Sequence, residues 1–171
     1  SEHRRELPAV RRGGFEKLSE RMCRPEWRPD VGAAAPHPTA GAMVVGARTP
    51  LIAFNAVLGS DAIEIAKAIA AAIRTSSGGL ADVRAMGVFL ASRRLVQVSM
   101  NLLDYLHTPP RVVAERIEAE AQRRGVQVVE YELVGCSPLG VFEQWPLELA
   151  PLAGLKPAQI LDRRLFAHVT S

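Results

Sequence analysis

The apolar residues of this chain change period along its length, and each period names an element. Leu51 to Leu58 is an apolar run broken only by Asn55, the pattern of a buried strand. From Asp61 to Arg74 the spacing becomes helical, with Ile63, Ala66, Ile69 (or Ala70) and Ile73 on one stripe. Ser60 precedes it as the expected N-cap, and Ser76-Ser77-Gly78-Gly79 stops it. Val83–Leu90 and Leu95–Leu103 return to strand character, joined by a hairpin at Ala91-Ser92-Arg93-Arg94. Thr108-Pro109-Pro110 opens a second helix running to Arg124, with Val113, Ile117 and Ala121 inward and Gly125 just past its end. Val126–Val134 is a further strand, the stretch from Pro138 is helical or irregular, and Lys156–Ala167 reads as a terminal helix. The order β, α, β, β, α, β predicts an α+β fold, a ferredoxin-like βαββαβ two-layer sandwich with an N-terminal extension.

The extension has a different pattern. Glu2 to Arg12 is highly charged, Gly13-Gly14 interrupts it, and Phe15–Met22 predicts a short helix. Pro25, Pro29, Pro36 and Pro38 punctuate a loop after that helix. Within the loop, the stretch from Val31 to Gly41 is small, nearly uncharged and bounded by glycine and proline. A solvated loop carries more polar residues, so this one is either a packed linker or a backbone wall for a flat ligand. The apolar run Ala42–Ala47 predicts a first short strand.

Side chains alternate across a strand, which divides the sheet into two faces. Val96, Val98, Met100 and Leu102 share one face; Gln97, Ser99, Asn101 and Leu103 share the other. In the last strand Glu130 and Glu132 oppose Val129, Tyr131 and Leu133. Asparagine is disfavoured in strands without a specific contact, so Asn55 joins Gln97, Ser99 and Asn101 in a polar strip. Such a strip either faces water or meets a second sheet or a polar ligand.

Composition narrows the class. The chain has 171 residues, 48% hydrophobic and 23% charged, typical of globular proteins and unlike disordered or collagen-like chains. No run of 18 apolar residues occurs, so no spanning helix is expected. No signal-peptide pattern opens the chain, and the first residue is Ser rather than Met, which suits a fragment of a longer polypeptide. Cys23 and Cys136 lack metal or redox spacing, and both are expected reduced and buried in a cytoplasmic protein. Net charge is +3 and nearly all basic residues are arginine, whose planar fork suits carboxylates and phosphates. Aromatic content of 5% is too sparse for nucleic-acid stacking, and an RNA-binding sheet predicts aromatics where Gln97, Ser99 and Asn101 stand. Neither nucleic acid nor membrane is an expected partner.

Catalytic signatures are few. His3, His37, His107 and His168 are scattered without metal-ligand spacing, and no phosphate loop, nucleophile elbow or dinucleotide fingerprint is present. No metal is expected. Glu130 and Glu132 share a strand face, as acid–base carboxylates or as solvated ones.

Six segments in register carry a resemblance. The first three are Arg4-Arg5-Glu6-Leu7-Pro8-Ala9-Val10-Arg11-Arg12-Gly13, Trp27-Arg28-Pro29-Asp30-Val31-Gly32 and His37-Pro38-Thr39-Ala40-Gly41-Ala42. Gly46-Ala47-Arg48 with Leu51-Ile52-Ala53-Phe54-Asn55, then Gln97-Val98-Ser99-Met100-Asn101-Leu102, then Glu132-Leu133-Val134-Gly135 complete them. Over Arg4 to Leu165 the chain resembles the glutamate formimidoyltransferase family, fused in animals to a cyclodeaminase. Gly135-Cys136-Ser137-Pro138 departs from the more apolar residues usual there.

The resemblance implies transfer of the formimino group of N-formimino-L-glutamate to N5 of tetrahydrofolate, in histidine degradation, with tetrahydrofolate as co-substrate. It implies two ferredoxin-like subdomains whose sheets face a folate channel. Residues 1–48 would be the end of the N-terminal subdomain, including the folate loop, and 49–171 the C-terminal subdomain. The family's folate-binding segment falls on Gly32, Ala33, Ala34, Ala35, Pro36, His37, Pro38, Thr39, Ala40 and Gly41. Asn55, Gln97, Ser99 and Asn101 are then sheet-face contacts, and Arg48, Arg93 and Arg94 are either attractors of glutamyl carboxylates or surface residues. The family's acid–base histidine lies upstream of Ser1, so no catalytic residue is expected here and the 171 residues alone should be inactive. The missing N-terminal subdomain and further copies in a homo-oligomer are the expected partners. The alternative is a non-catalytic ferredoxin-like binding or oligomerisation module, since fold alone does not decide function.

Overall fold

The computed structural model describes residues 7–141, 145, 149–153 and 156–169. His3, and the Arg4-Arg5-Glu6 start of the first resembling segment, lie outside the described residues. The chain divides into two compact units, Ser1–Ala47 and Arg48–Ser171.

Among its described residues the first unit holds two short helices, α1 (Leu7–Val10) and α2 (Leu18–Met22), and a single 3₁₀ turn at Pro25–Trp27. The helix expected over Phe15–Met22 is shorter, because Gly13 and Gly14 both adopt positive φ and keep the chain turning up to Lys17. Arg21 ties these pieces together. Its guanidinium donates to the carbonyls of Ala9 and Arg12 and lies 3.4 Å from the centre of the Trp27 ring. Ala42–Ala47 is not a strand. The run is irregular, since a strand needs a neighbour to take its backbone hydrogen bonds, and among the described residues none reaches this one.

The second unit follows the predicted order: β1 (Ile52–Leu58), α3 (Ile63–Ile73), β2 (Val83–Leu90), β3 (Leu95–Leu102), α4 (Pro110–Gln122) and β4 (Val128–Val134). Beyond it come a two-residue strand, β5 (Leu152–Ala153), and a terminal helix, α5 (Leu161–Val169). The sheet runs β2-β3-β1-β4-β5; its first four strands are antiparallel, and β5 lies parallel to β4. The fold is the α+β ferredoxin-like sandwich, with a fifth strand that two residues are too few to announce by alternation.

The core lies between the sheet and the two helices α3 and α4. Ile52, Phe54, Ala56 and Leu58 of β1 point into it, with Val96, Val98, Met100 and Leu102 of β3. Ile69, Ile73, Val113 and Ile117 close it from the helices. Gly87 sets the helix–sheet spacing, because a Cβ there would stand 2.6 Å from the Lys67 backbone nitrogen of α3. Phe54 stacks on Tyr131 with ring centres 5.2 Å apart, and Trp145 meets both rings edge-on. The Tyr131 hydroxyl donates to Ala114 O (3.2 Å) and to Glu118 (3.3 Å). Burial, aided by the Glu118 charge, holds that hydroxyl well above its ordinary pKa.

Three local expectations are corrected. Helix α3 starts at Ile63, with Ala62 as its N-cap; the Ser60 hydroxyl instead accepts the Ala62 N–H in a tight turn before the helix. In β4 the pairing register shifts between Val57 and Leu58, which face Glu130 and Val128. This bulge turns Val128 inward and leaves Val129 exposed, so Tyr131 and Leu133 share the core face with Val128 rather than Val129. Cys23 is exposed and Cys136 half-buried, both as free thiols; neither joins the core. Helix α4 begins where expected. Pro109 precedes another proline and is held extended (ψ 150°), so the helix starts at Pro110.

Candidate functional site

Each unit carries one candidate region. In the first, the Gly32–Gly41 loop is built from turns. Gly32 and Gly41 take φ of +92° and +71°, a conformation that suits glycine. The His37 N–H donates to Gly41 O (2.7 Å) and the Gly41 N–H to His37 O (3.0 Å), closing a small ring of chain. Inside that ring the His37 Nδ1 accepts the backbone N–H groups of Thr39 (3.3 Å) and Ala40 (3.1 Å). These donors assign the tautomer: Nδ1 is the acceptor, so the neutral ring carries its proton on Nε2. His37 is exposed and offers a directed donor.

The loop is not a packed linker. Gly32 to Ala35 and His37 to Ala40 are exposed, with Pro36 and Gly41 half-buried. A cleft of about 570 Å³ opens within this unit. Ala40 and Gly41 line it with Phe15, Leu18, Trp27 and Met43, whereas Gly32 to Thr39 are not among its walls. A methyl group at Gly41 would come 3.1 Å from the Phe15 ring, so the glycine also permits that close packing.

In the second unit the candidates lie on the sheet face opposite α3 and α4. Register brings them together: Asn55 pairs with Ser99 on one side and Glu132 on the other, Val57 lies between Gln97 and Glu130, and Ala53 lies beside Asn101. Asn55 is 7% exposed and Gln97 9%, while Ser99 is half-buried and Asn101 exposed. A buried amide needs partners, and Asn55 Nδ2 donates to Glu132 Oε2 at 3.0 Å. The strip is therefore graded, from buried amides at its centre to an exposed one at Asn101.

The three candidate arginines each contact a group of the chain itself. Arg93, in the β2–β3 hairpin, forms an ion pair with Glu130 on β4, a reach that carries it past β1 and Val57. Arg94 takes φ of +50° and stands 4.0 Å from Asp61. Arg48 donates to the neighbouring Thr49 carbonyl (3.2 Å). Sequence reasoning missed the Arg93–Glu130 and Asn55–Glu132 contacts. Their signal was the alternation that put Glu130 and Glu132 on the Gln97 face, read without the strand order that makes them neighbours of Asn55 and Val57.

Elsewhere, His107 Nδ1 lies 2.8 Å from Asp82 Oδ2, at a residue whose own φ is +57°. The His168 side chain lies outside the described residues. Among the described residues no three His, Cys, Asp or Glu side chains converge on a metal position. No described helix is long and apolar enough to cross a membrane.

Comparison with known proteins covers both units. A family model described as "Formiminotransferase domain" matches residues 53–145, and "Formiminotransferase domain, N-terminal subdomain" matches residues 1–48. Glutamate formimidoyltransferase of Streptococcus pyogenes serotype M1 is 44% identical over 135 residues, covering 79% of this chain and 45% of that protein. The protein of the same name from Thermoplasma acidophilum is 39% identical over 168 residues, 95% of this chain and 54% of its own length. Formimidoyltransferase-cyclodeaminase of Rattus norvegicus is 42% identical over 142 residues, 80% of this chain and 26% of its own length. The chain thus spans about half the length of the first two relatives.

Proposed function

The chain belongs to the formiminotransferase family, and from that premise we propose that it supplies the folate-positioning part of a glutamate formimidoyltransferase. On this reading residues 1–48 are the end of the N-terminal subdomain and 49–171 the C-terminal subdomain. The reaction moves the formimino carbon of N-formimino-L-glutamate to N5 of tetrahydrofolate, in the cytoplasm, as a step of histidine degradation. The N5–carbon bond forms as a tetrahedral intermediate; the carbon–nitrogen bond to glutamate then breaks, and the proton lost from N5 ends on the departing amine. Positioning two substrates together removes much of such a barrier. Proton transfer by a histidine adds about 10²–10⁴-fold, and that residue belongs to the family's remaining N-terminal part.

The observation that carries this reading is the match to the formiminotransferase N-terminal subdomain model followed, along the same chain, by the match to the formiminotransferase domain model. Two features of the structure support the division of labour. The Gly32–Gly41 loop presents small, mostly exposed residues, which a flat pterin can approach closely, and the exposed His37 within it offers an Nε2–H donor. The sheet face offers neutral amides, with Asn55 held by Glu132, suited to orienting a polar ligand without competing for its proton. Tetrahydrofolate is the co-substrate, the rest of the N-terminal subdomain the required partner, and a homo-oligomer the working state.

The test is formimino transfer with glutamate release, by this chain supplied with the remaining N-terminal subdomain. Transfer is expected from the pair, and none from the 171 residues alone. An assembled, folded pair that releases no glutamate overturns the proposal and favours a non-catalytic module. Within an active pair, Asn101→Ala is expected to weaken tetrahydrofolate binding; unchanged affinity and rate would remove the exposed end of the strip from the site.

A further inference from the structure

An ion pair crosses the sheet face opposite α3 and α4. Arg93 leaves the β2–β3 hairpin and meets Glu130 on β4, on the far side of β1. Neighbouring strands lie about 4.8 Å apart, so the pair bridges about 10 Å of sheet. Register sets the row that Glu130 ends: Val88, Gln97, Val57, Glu130. Val57 is 1% exposed and Gln97 9%. The two row neighbours of Gln97 are valines, and among the described residues its side-chain amide has no hydrogen-bond partner. The amide atoms nonetheless stay open to solvent. An amide held in apolar surroundings without a partner is costly, so Gln97 is set to receive a group from the face.

The bridge beside it is easily exchanged. The Arg93 and Glu130 side chains are 43% and 24% exposed, and ion pairs open to water hold weakly. A guanidinium takes any carboxylate in the same two-pronged geometry. Glu130 also shows which carboxylate fits, since its side chain is two methylenes ending in a carboxylate. N-formimino-L-glutamate carries that same group, and so does the glutamyl tail of tetrahydrofolate.

We propose that Glu130 is an internal stand-in for a ligand carboxylate. It occupies the Arg93 guanidinium in the free chain, and a glutamyl carboxylate displaces it, taking Arg93 and accepting from the Gln97 amide. The ligand's identity rests on the proposed function, in which this face meets the two substrates. Arg93 is then a binding residue whose affinity is set by a competitor in its own sheet, and the ligand's apparent affinity is lowered by the fraction of chains in which Arg93 is engaged.

Titration of the full 171-residue chain tests this. N-formimino-L-glutamate and tetrahydrofolate are added separately, and the Gln97 side-chain amide is followed by nuclear magnetic resonance. At least one is expected to move that signal. Glu130→Gln removes the competing charge and should tighten the binding of that ligand at least about threefold. Arg93→Ala should weaken it at least about tenfold, with Arg93→Lys, which keeps the charge without the fork, in between. The ligand that responds to Glu130→Gln identifies the source of the carboxylate. Trp145 fluorescence checks that the second unit is folded in each variant. An unmoved Gln97 signal with both ligands, unchanged affinity in folded Glu130→Gln, or full binding by Arg93→Ala would overturn the proposal. The functional reading fails separately. Tighter binding by Glu130→Gln without formimino transfer from the assembled pair leaves the stand-in standing, whereas transfer with affinity indifferent to Glu130→Gln removes the stand-in alone.

Discussion

The two units use similar residues to opposite effect. The second unit turns its Val, Ile and Phe residues into a core in which Ile52, Phe54, Leu58, Ile69, Val98 and Ile117 are fully enclosed. In the first unit Met22 is the one buried apolar side chain among the described residues, while Phe15, Val31, Met43 and Val45 stay exposed. The difference lies in layering rather than composition. A strand or helix buries its apolar face only against another layer. Residues 51–134 contain both layers in one stretch of chain; residues 7–47 contain two helices of four and five residues and no paired strand. What order the first unit has is polar, centred on the Arg21 guanidinium, two carbonyls and the Trp27 ring. Self-sufficiency of a segment is thus a matter of which partners it contains.

The chain's two tryptophans report on the two units separately, Trp27 on the first and Trp145 on the second. Phe54→Ala removes a ring that contacts both Tyr131 and Trp145 and should cost the second unit about 3–5 kcal/mol. Denaturant unfolding followed by Trp145 in a Trp27→Phe background measures it. A loss under about 1 kcal/mol, well below the range for a buried ring, would mean that the aromatic cluster is not part of the cooperative core. Gly87→Ala comes next. Its new methyl meets the α3 backbone, which cannot swing aside as a side chain would, and about 1–3 kcal/mol is expected. Arg21→Ala probes the other side of the comparison. Losing its ring contact costs about 0.5–1 kcal/mol locally. Trp27 emission should shift while the Trp145 transition stays in place; a moved Trp145 transition would show that the units share one cooperative fold.

This contrast also decides what was legible in the sequence. The stripe of Ala66, Ile69, Ala70 and Ile73 and the alternation of Val96, Val98, Met100 and Leu102 identified their elements because each buries one face locally. Ala42–Ala47 misled because strand composition is a property of residues, whereas a strand is a property of pairs. Val129 misled because a bulge reverses alternation without altering composition. On the polar face, the grouping of Asn55, Gln97, Ser99 and Asn101 was legible from parity. Their separation into buried and exposed members was not, because it depends on which strand is central and on Glu130, Glu132 and Arg93 arriving from elsewhere. The exposure of the Gly32–Gly41 loop was equally hidden, since small residues suit a packed turn and an open one alike.

Glu120 supplies the smallest and most specific test, because it is a charge that the complete unit shelters. Its side chain is buried on α4 while Arg116, Arg123 and Arg124, close by in sequence, converge on it. The hydrogen bond from Arg124, with the charges of Arg123 and Arg116, outweighs desolvation and holds its pKa below the ordinary 4.5. A carboxylate with a lowered folded pKa stabilises above the unfolded value, and that contribution is lost as pH falls through the folded one. Glu120→Gln should therefore cost a few tenths of a kcal/mol at pH 7, about 0.2–0.5 for one exposed helix pair. The gap from the parent should narrow below pH 4.5 and vanish once both states bind the proton. Paired urea curves at pH 7, 4.5 and 3, read at Trp145, resolve the trend better than any single value. A gap that widens toward acid would mean that desolvation outweighs the arginines and that the sign of the shift is reversed. A constant gap would mean that the glutamine acts through shape alone. Either outcome would count against the picture of the second unit as a fold that supplies all the partners its buried groups require.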